Sequence, residues 1–282
     1  MKKGFLLYCC LLLLLATYRN DAAYAQSFNC PEIEILGGSD TVRLACTQSC
    51  TTLTATLPDI RQTINGNNAY IVEPVPFSAA QPFTLTNPNT IFVNIDDRYS
   101  GIITLPFTFC FYGASYNSLV IGANGTISFN TGYANTNSGF ALCNTSNNTH
   151  YTLPQPNRPS FPLNAIYALF HDINPAVQNG TKKIEWQVTG TAPCRRIIIN
   201  WVDISQYDCT NLKSTFQCVL YENTNVIDVF VKEKPVCGRW NCGVAAIGLQ
   251  NDDGSQSISP PNRNTSVFTI TTANSEGWRF IP

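Results

Sequence analysis

Residues 102–130 read IITLPFTFCFYGASYNSLVIGANGTISFN, and their periodicity decides the fold. Ile103, Leu105, Phe107, Phe109 and Phe111 fall on one side of an extended chain, and Thr104, Thr108 and Tyr112 on the other. A period of two held over this length predicts a strand with one buried face; helical spacing would scatter the aromatic rings around an axis. Pro106 removes one ladder donor, so this strand is expected at a sheet edge or at a bulge. Two further apolar runs flank Ala123-Asn124-Gly125. Asn-Gly tolerates positive φ at both positions and predicts a two-residue hairpin turn. That turn would pair Val120 with Phe129 and Gly122 with Ile127.

The same period recurs further along the chain. Residues 183–188 alternate, with Ile184, Trp186 and Val188 inward. Residues 196–204 are apolar on both faces, with Ile197, Ile199 and Trp201 on one and Ile198, Val202 and Ile204 on the other. A run of that kind predicts a central strand covered from both sides. Residues 216–222 and 226–231 flank Asn223-Thr224 as a second hairpin, and 245–250, 265–271 and 277–281 add further strands. Many short strands without helical periodicity imply an all-β fold, an antiparallel β-sandwich in which jelly-roll connections are one arrangement. Pro74, Pro76, Pro82 and Pro88 break the chain between 61 and 95 into a strap expected to cross a sheet surface. Residues 131–164 form a long polar loop. Together with 96–101 and 171–180, that loop is where binding is expected, because loops carry function on a rigid frame.

The first 25 residues have the form of an export signal: Lys2 and Lys3, an apolar run from Phe5 to Ala16, and Ala23-Tyr24-Ala25 before the expected cleavage. The expected division is therefore signal 1–25, lead 26–95 and sandwich 96–282. The apolar run is short for a bilayer span and no later segment reaches that length, so no membrane span is expected after signal removal. The exported chain holds 14 basic and 17 acidic residues without a basic stripe, which argues against a nucleic-acid partner. Ten cysteines remain in it, and an even number in an exported chain points to disulfides. Cys46 and Cys50 bracket a tight turn and are expected to pair. Cys46-x3-Cys50 and Cys237-x4-Cys242 both lack the two-residue gap of zinc knuckles.

Little else in the chain speaks of chemistry. Asp96 and Asp97, with Asp172 and Asn174 further on, supply the oxygen types that calcium uses, although no D-x-D-x-D-G loop is present. No other cofactor is expected. Glu185, Asp203, Glu222 and Asp228 fall mostly at outward strand positions, where a solvated sheet face is expected, and no hydrolase or nucleotide-binding motif occurs. An enzyme is not expected. Trp240, held between Cys237 and Cys242, is the candidate for ligand contact, because an exposed ring at that place would stack on a sugar.

LPFTFCFYG followed by YNSLVIGANGTISFN resembles the nidogen-like region at the head of secreted Bacteroidetes surface proteins. AIYALFHDINP at 165–175, GTAPCRRIIINW at 190–201, KPVCGRWNCGVAAIGLQN at 234–251 and the final GWRFIP agree with it. The resemblance implies a domain exported through the Sec pathway to the cell surface or medium. It implies adhesion or matrix interaction as the head of a gliding-motility-associated adhesin that leaves through type IX secretion. The partner would be an extracellular protein or polysaccharide surface. A carbohydrate-binding module for polysaccharide capture is the alternative. Cys218 and Cys242 depart from the resembling pattern and are most simply paired with each other, leaving Cys209 for Cys237. Cys110, on the polar side of its strand, is available to Cys143 or to Cys194, and Cys110–Cys143 is the pair expected.

Overall fold

The computed structural model describes residues 34–35, 55–56, 69–77, 83–91 and 94–282. The export signal and the Cys46–Cys50 pair lie outside them. Two antiparallel sheets stack face to face. One runs, in spatial order, Ser257–Ile258, Val244–Gln250, Ala165–Phe170, Thr126–Ser128, Ala114–Ile121 and Ile103–Phe111, with Ser266–Val267 attached to Val244–Gln250. The other runs Ile71–Val75, Glu276–Ile281, Ile227–Glu233, Cys209–Tyr221, Arg196–Gln206, Lys183–Thr189 and Asn89–Ile91, with Ile173–Asn174 attached to Arg196–Gln206. Two strands from the 26–95 lead are thus built into the second sheet. The Ile103–Phe111 strand lies at the edge of its sheet, and its register shifts between Thr104 and Phe109. Both devices accommodate the missing donor of Pro106.

The inner faces meet in one apolar core. Phe109, Phe111, Ile121, Ile127 and Ile166 from the first sheet pack with Ile197, Ile199, Trp201, Phe216, Leu220 and Val229 from the second. Trp201 stacks on Phe216 with ring centroids 4.8 Å apart, and its Nε1 donates to the Gly122 carbonyl of the opposite sheet at 3.2 Å. The outer faces are covered as well. Leu142, Leu153 and Phe161 of the long 131–164 loop pack on Tyr167, Phe170 and Ala246. Phe77, Phe83 and Leu85 of the proline-broken strap pack on Ile198, Val219, Tyr221 and Phe230. Arg196–Gln206 is therefore a central strand buried on both faces, as its two apolar faces predict.

Several local expectations change. Asp203 adopts φ 52° and the register with the next strand shifts between Trp201 and Ile204. This bulge inverts the alternation, so Ile204 joins Ile197, Ile199 and Trp201 in the inner core rather than facing the strap. The 122–126 hairpin closes around three residues, with the Gly122 N–H donating to Thr126 O at 2.7 Å. Its strands pair Val120 with Ser128 and Ile121 with Ile127, one residue off the two-residue register. Gly125 permits this arrangement. It sits at φ 79°, and a Cβ there would stand 2.3 Å from the Leu169 carbonyl oxygen.

Two of the outward acids, Glu185 and Asp228, are buried rather than solvated, because the strap and neighbouring strands cover them, whereas Asp203 and Glu222 stay partly exposed. Asp228 accepts from the Arg279 Nε and Nη2 at 2.7 Å each and from the Tyr221 hydroxyl at 3.0 Å. Glu185 accepts from the Leu85 N–H at 3.3 Å and lies 3.0 Å from the Lys183 ammonium. Glu222 is held by the Arg195 guanidinium and by its backbone N–H.

Cysteine pairing also differs in part. Cys209 and Cys237 are bonded, with Cα atoms 5.8 Å apart. Cys242 is bonded to Cys143 across a Cα distance of 6.0 Å, not to Cys218. Cys218 points into the inner core opposite Val229, whereas Cys242 packs with the loop residues on the outer face of the other sheet. A sheet stands between them. Cys110 is a free thiol, since Cys143 is engaged elsewhere. Cys194 is disulfide-bonded.

The buried Asp228–Arg279 pair gives a direct test of the fold. Arg279→Leu leaves a carboxylate buried without its cation and is expected to cost about 3–5 kcal/mol in urea unfolding. Adding Asp228→Asn to the same chain should recover part of that loss.

Candidate functional site

At one end of the sandwich, three expected binding segments and two cysteine-linked loops converge. The turn at 94–101 enters from the edge, the 122–126 hairpin rises beside it, and the chain leaves the Ala165–Phe170 strand through His171 and Asp172. Asn124 joins them. Its side chain is fully buried. Its Nδ2 donates to Asp97 Oδ1 at 2.7 Å and to the Gly139 carbonyl at 3.2 Å, and its Oδ1 accepts from the Ile173 N–H at 3.0 Å. The sequence suggests turn chemistry for Asn124; the structure keeps it in the hairpin turn and adds three long-range bonds. No local signal distinguishes the two, because Asn-Gly reads as a turn wherever it stands.

Asp96, Asp97 and Asp172 come together here, with one carboxylate oxygen from each lying within 4.8 Å of the others. Asp96 and Asp97 are half-buried, and Asp97 adopts φ 46°. Asp172 is only 6% exposed. Its Oδ2 accepts from the Trp240 Nε1 at 2.6 Å, while its Oδ1 is buried with no hydrogen-bond partner. Removal from water pushes the Asp172 carboxyl up to about 8, and the charges of Asp97 and Asp96 push the same way. Desolvation and the adjacent Asp97 raise Asp96 to about 6. Asn174 does not complete the group: its Oδ1 accepts from the Ala176 N–H at 2.7 Å and shapes its own turn. The sulfurs of Cys143 and Cys242 also cluster with His150, but their mutual bond leaves no thiolate for a metal.

Beside the carboxylates lies an aromatic pair. Trp240 is half-buried, and its ring sits 4.8 Å from that of Tyr207, which is exposed. The Cys209–Cys237 disulfide anchors both loops at their base. A small cavity behind the pair is lined by His171, Asp172, Lys234 and Trp240. His171 bonds the Leu169 carbonyl at 3.0 Å and the Ser214 hydroxyl at 2.8 Å. Burial, then the Lys234 charge, lowers its pKa to about 3, so the ring stays neutral. Ser214 has no solvent exposure, and this Ser–His contact is a structural bond. The Lys234 ammonium donates to the Phe268 carbonyl at 3.0 Å and to the Gly243 carbonyl at 3.3 Å, and burial lowers its pKa to about 7.

A family model described as NIDO related matches residues 76–279. No curated protein and no solved structure shows significant similarity to the chain. Among the described residues, no helix is long and apolar enough to cross a membrane.

Two outcomes follow from this geometry. Asn124→Ala removes the acceptor for the Ile173 N–H and should cost about 1–3 kcal/mol in urea unfolding. Lys234 sets a pH dependence. Its ammonium has a reference value of 10.5 and is lowered to about 7 in the fold. Between those limits the unfolded chain holds a proton that the folded chain releases. Stability from this group is therefore fully present above 10.5 and is lost as pH falls toward 7, with no further change below. Lys234→Met should remove that slope from a series of melting temperatures between pH 7 and 10.

Proposed function

The chain belongs to the NIDO-related family, and on that premise we propose that it is an exported, non-enzymatic domain working in adhesion or matrix interaction at a cell surface. A nidogen-related domain and its disulfides are consistent with an extracellular protein. The observation that carries the reading is the convergence of loops at one end of a doubly covered sandwich. There the half-buried Trp240 and exposed Tyr207 stand beside three carboxylates. The chain's own strap and loop pack on the outer faces of the sandwich, which supports this end as the surface for a partner. The solvent-sealed Ser214–His171 contact and the cation-paired Asp228, Glu222 and Glu185 support a role without catalysis. The likeness to heads of secreted Bacteroidetes surface proteins supports Sec export, with a gliding-motility adhesin and type IX secretion as its setting.

Carbohydrate capture is the second reading. It is favoured by the Tyr207–Trp240 pair, since a partly exposed ring beside carboxylate acceptors suits a sugar face and its hydroxyls. Beads carrying the exported chain separate the two. Saturable binding to immobilised extracellular proteins, weakened at least tenfold by Trp240→Ala with Tyr207→Ala, is expected for adhesion. Binding confined to a glycan array moves the assignment to the second reading. Turnover in a broad hydrolase screen would overturn both.

A further inference from the structure

Among the described residues the fold buries three acids: Asp172, Glu185 and Asp228. It treats two of them alike. Asp228 receives the bidentate guanidinium of Arg279, and Glu185 receives the Lys183 ammonium. The half-buried Glu222 and Glu276 follow the same rule with Arg195 and Arg263. Asp172 breaks it. None of the ion pairs among the described residues includes Asp172, Asp96 or Asp97. Instead of a cation, Asp172 is given two more carboxylates, and its Oδ1 has no donor. Among the described residues, two neutral N–H donors face the group from side chains: Trp240 on Asp172 and Asn124 on Asp97. Among the described residues no positive charge is paired with this buried acid and its acidic neighbours, and a bound cation would supply one.

We propose that Asp96, Asp97 and Asp172 bind a calcium ion, which fastens the 94–101 turn to the loop that follows the Ala165–Phe170 strand. The donor set is all oxygen, which suits a hard cation and excludes a site built for soft metals. Calcium–oxygen distances of roughly 2.3–2.6 Å allow two ligands of one ion to stand up to about 5 Å apart, and the observed 4.8 Å limit falls inside that span. Three carboxylates from two distant segments make a partial shell, completed by water or main-chain oxygens. Asn124 holds Asp97 and the Ile173 backbone in place, and Trp240 holds Asp172, so the ligands are oriented before the ion arrives. The assignment stands whether or not the domain is an adhesin.

The Trp240 indole, bonded directly to a ligand, supplies the probe. The chelator-treated chain is titrated with terbium under tryptophan excitation, and calcium is then added as competitor. Sensitised emission that calcium displaces at submillimolar to millimolar concentrations is expected, the range of extracellular calcium modules. At about ten times the dissociation constant, calcium should raise Tm by about 2–4 °C. Asp172→Asn relieves the repulsion while its amide oxygen still accepts from Trp240. It should fold with an equal or higher Tm in chelator, yet lose the calcium response and at least tenfold in terbium affinity. Asp96→Asn, at a half-buried position, is the second variant if the first does not fold, with the same expectation. Absence of displaceable emission together with an unmoved Tm would overturn the site; in that case Asp172 is neutralised by its own proton. Variants that bind terbium as tightly as the parent chain would overturn it too.

Discussion

Mutual burial of the two inner sheet faces is the constraint to which the rest of this molecule answers. Trp201 and Phe216 on one sheet and Phe109, Phe111 and Ile127 on the other form a single apolar layer. Directionless packing of this kind fixes which residues face inward but leaves the relative slide of the sheets undetermined. The Trp201 indole N–H supplies the missing direction, because its bond to Gly122 crosses the layer and meets the hairpin that carries Asn124. Through that contact the core sets the position of the loop end. The bulge at Asp203, the close approach at Gly125 and the buried Asn124 amide are successive adjustments to one placement.

The polar parts of the sheets answer to a second requirement, that a charge buried on an outer face meet an opposite one. Sheet faces that a sandwich ordinarily shows to solvent are here roofed by the strap and the long loop, and the outward strand positions become interior. Glu185, Glu222 and Asp228 are accordingly matched to a lysine or arginine, two of them from a neighbouring strand or its end, while Asp203 accepts from the Thr215 hydroxyl. At the loop end the matching changes character. Polar bonds there run between segments far apart in sequence, from Asn124 to Asp97 and from Trp240 to Asp172. These bonds define a rigid surface rather than a stabilised sheet.

The sequence made the fold class legible, because period-two alternation is written in each strand by itself. The central strand at 196–204 is the clearest case: two apolar faces meant two covers, and both covers exist. The loops expected to gather function, 96–101 and 171–180, do come together, and Asp96, Asp97 and Asp172 with them. Other features depended on information that no local pattern holds. A bulge at Asp203 inverts a face, and nothing in RIIINWVDIS marks it. Cys218 and Cys242 look like partners until a sheet is placed between them. Asn174 and Asp172 were equivalent as oxygen donors in the sequence; in the structure one closes its own turn and the other enters the cluster. Trp240, sandwiched between cysteines in the sequence, is oriented by a carboxylate almost seventy residues away.

Cys218 has one further implication. Its thiol is sealed in the inner core, where burial drives its pKa well above the ordinary value, and nothing else in the fold bonds to its sulfur covalently. Cys110, the other free thiol among the described residues, sits half-buried on the edge strand Ile103–Phe111. An alkylating reagent therefore meets two doors of different kinds. Cys110 answers to movements of the margin, and Cys218 answers only when the two sheets part. The chain carries, in a residue that no disulfide claims, its own clock for the opening of the whole domain.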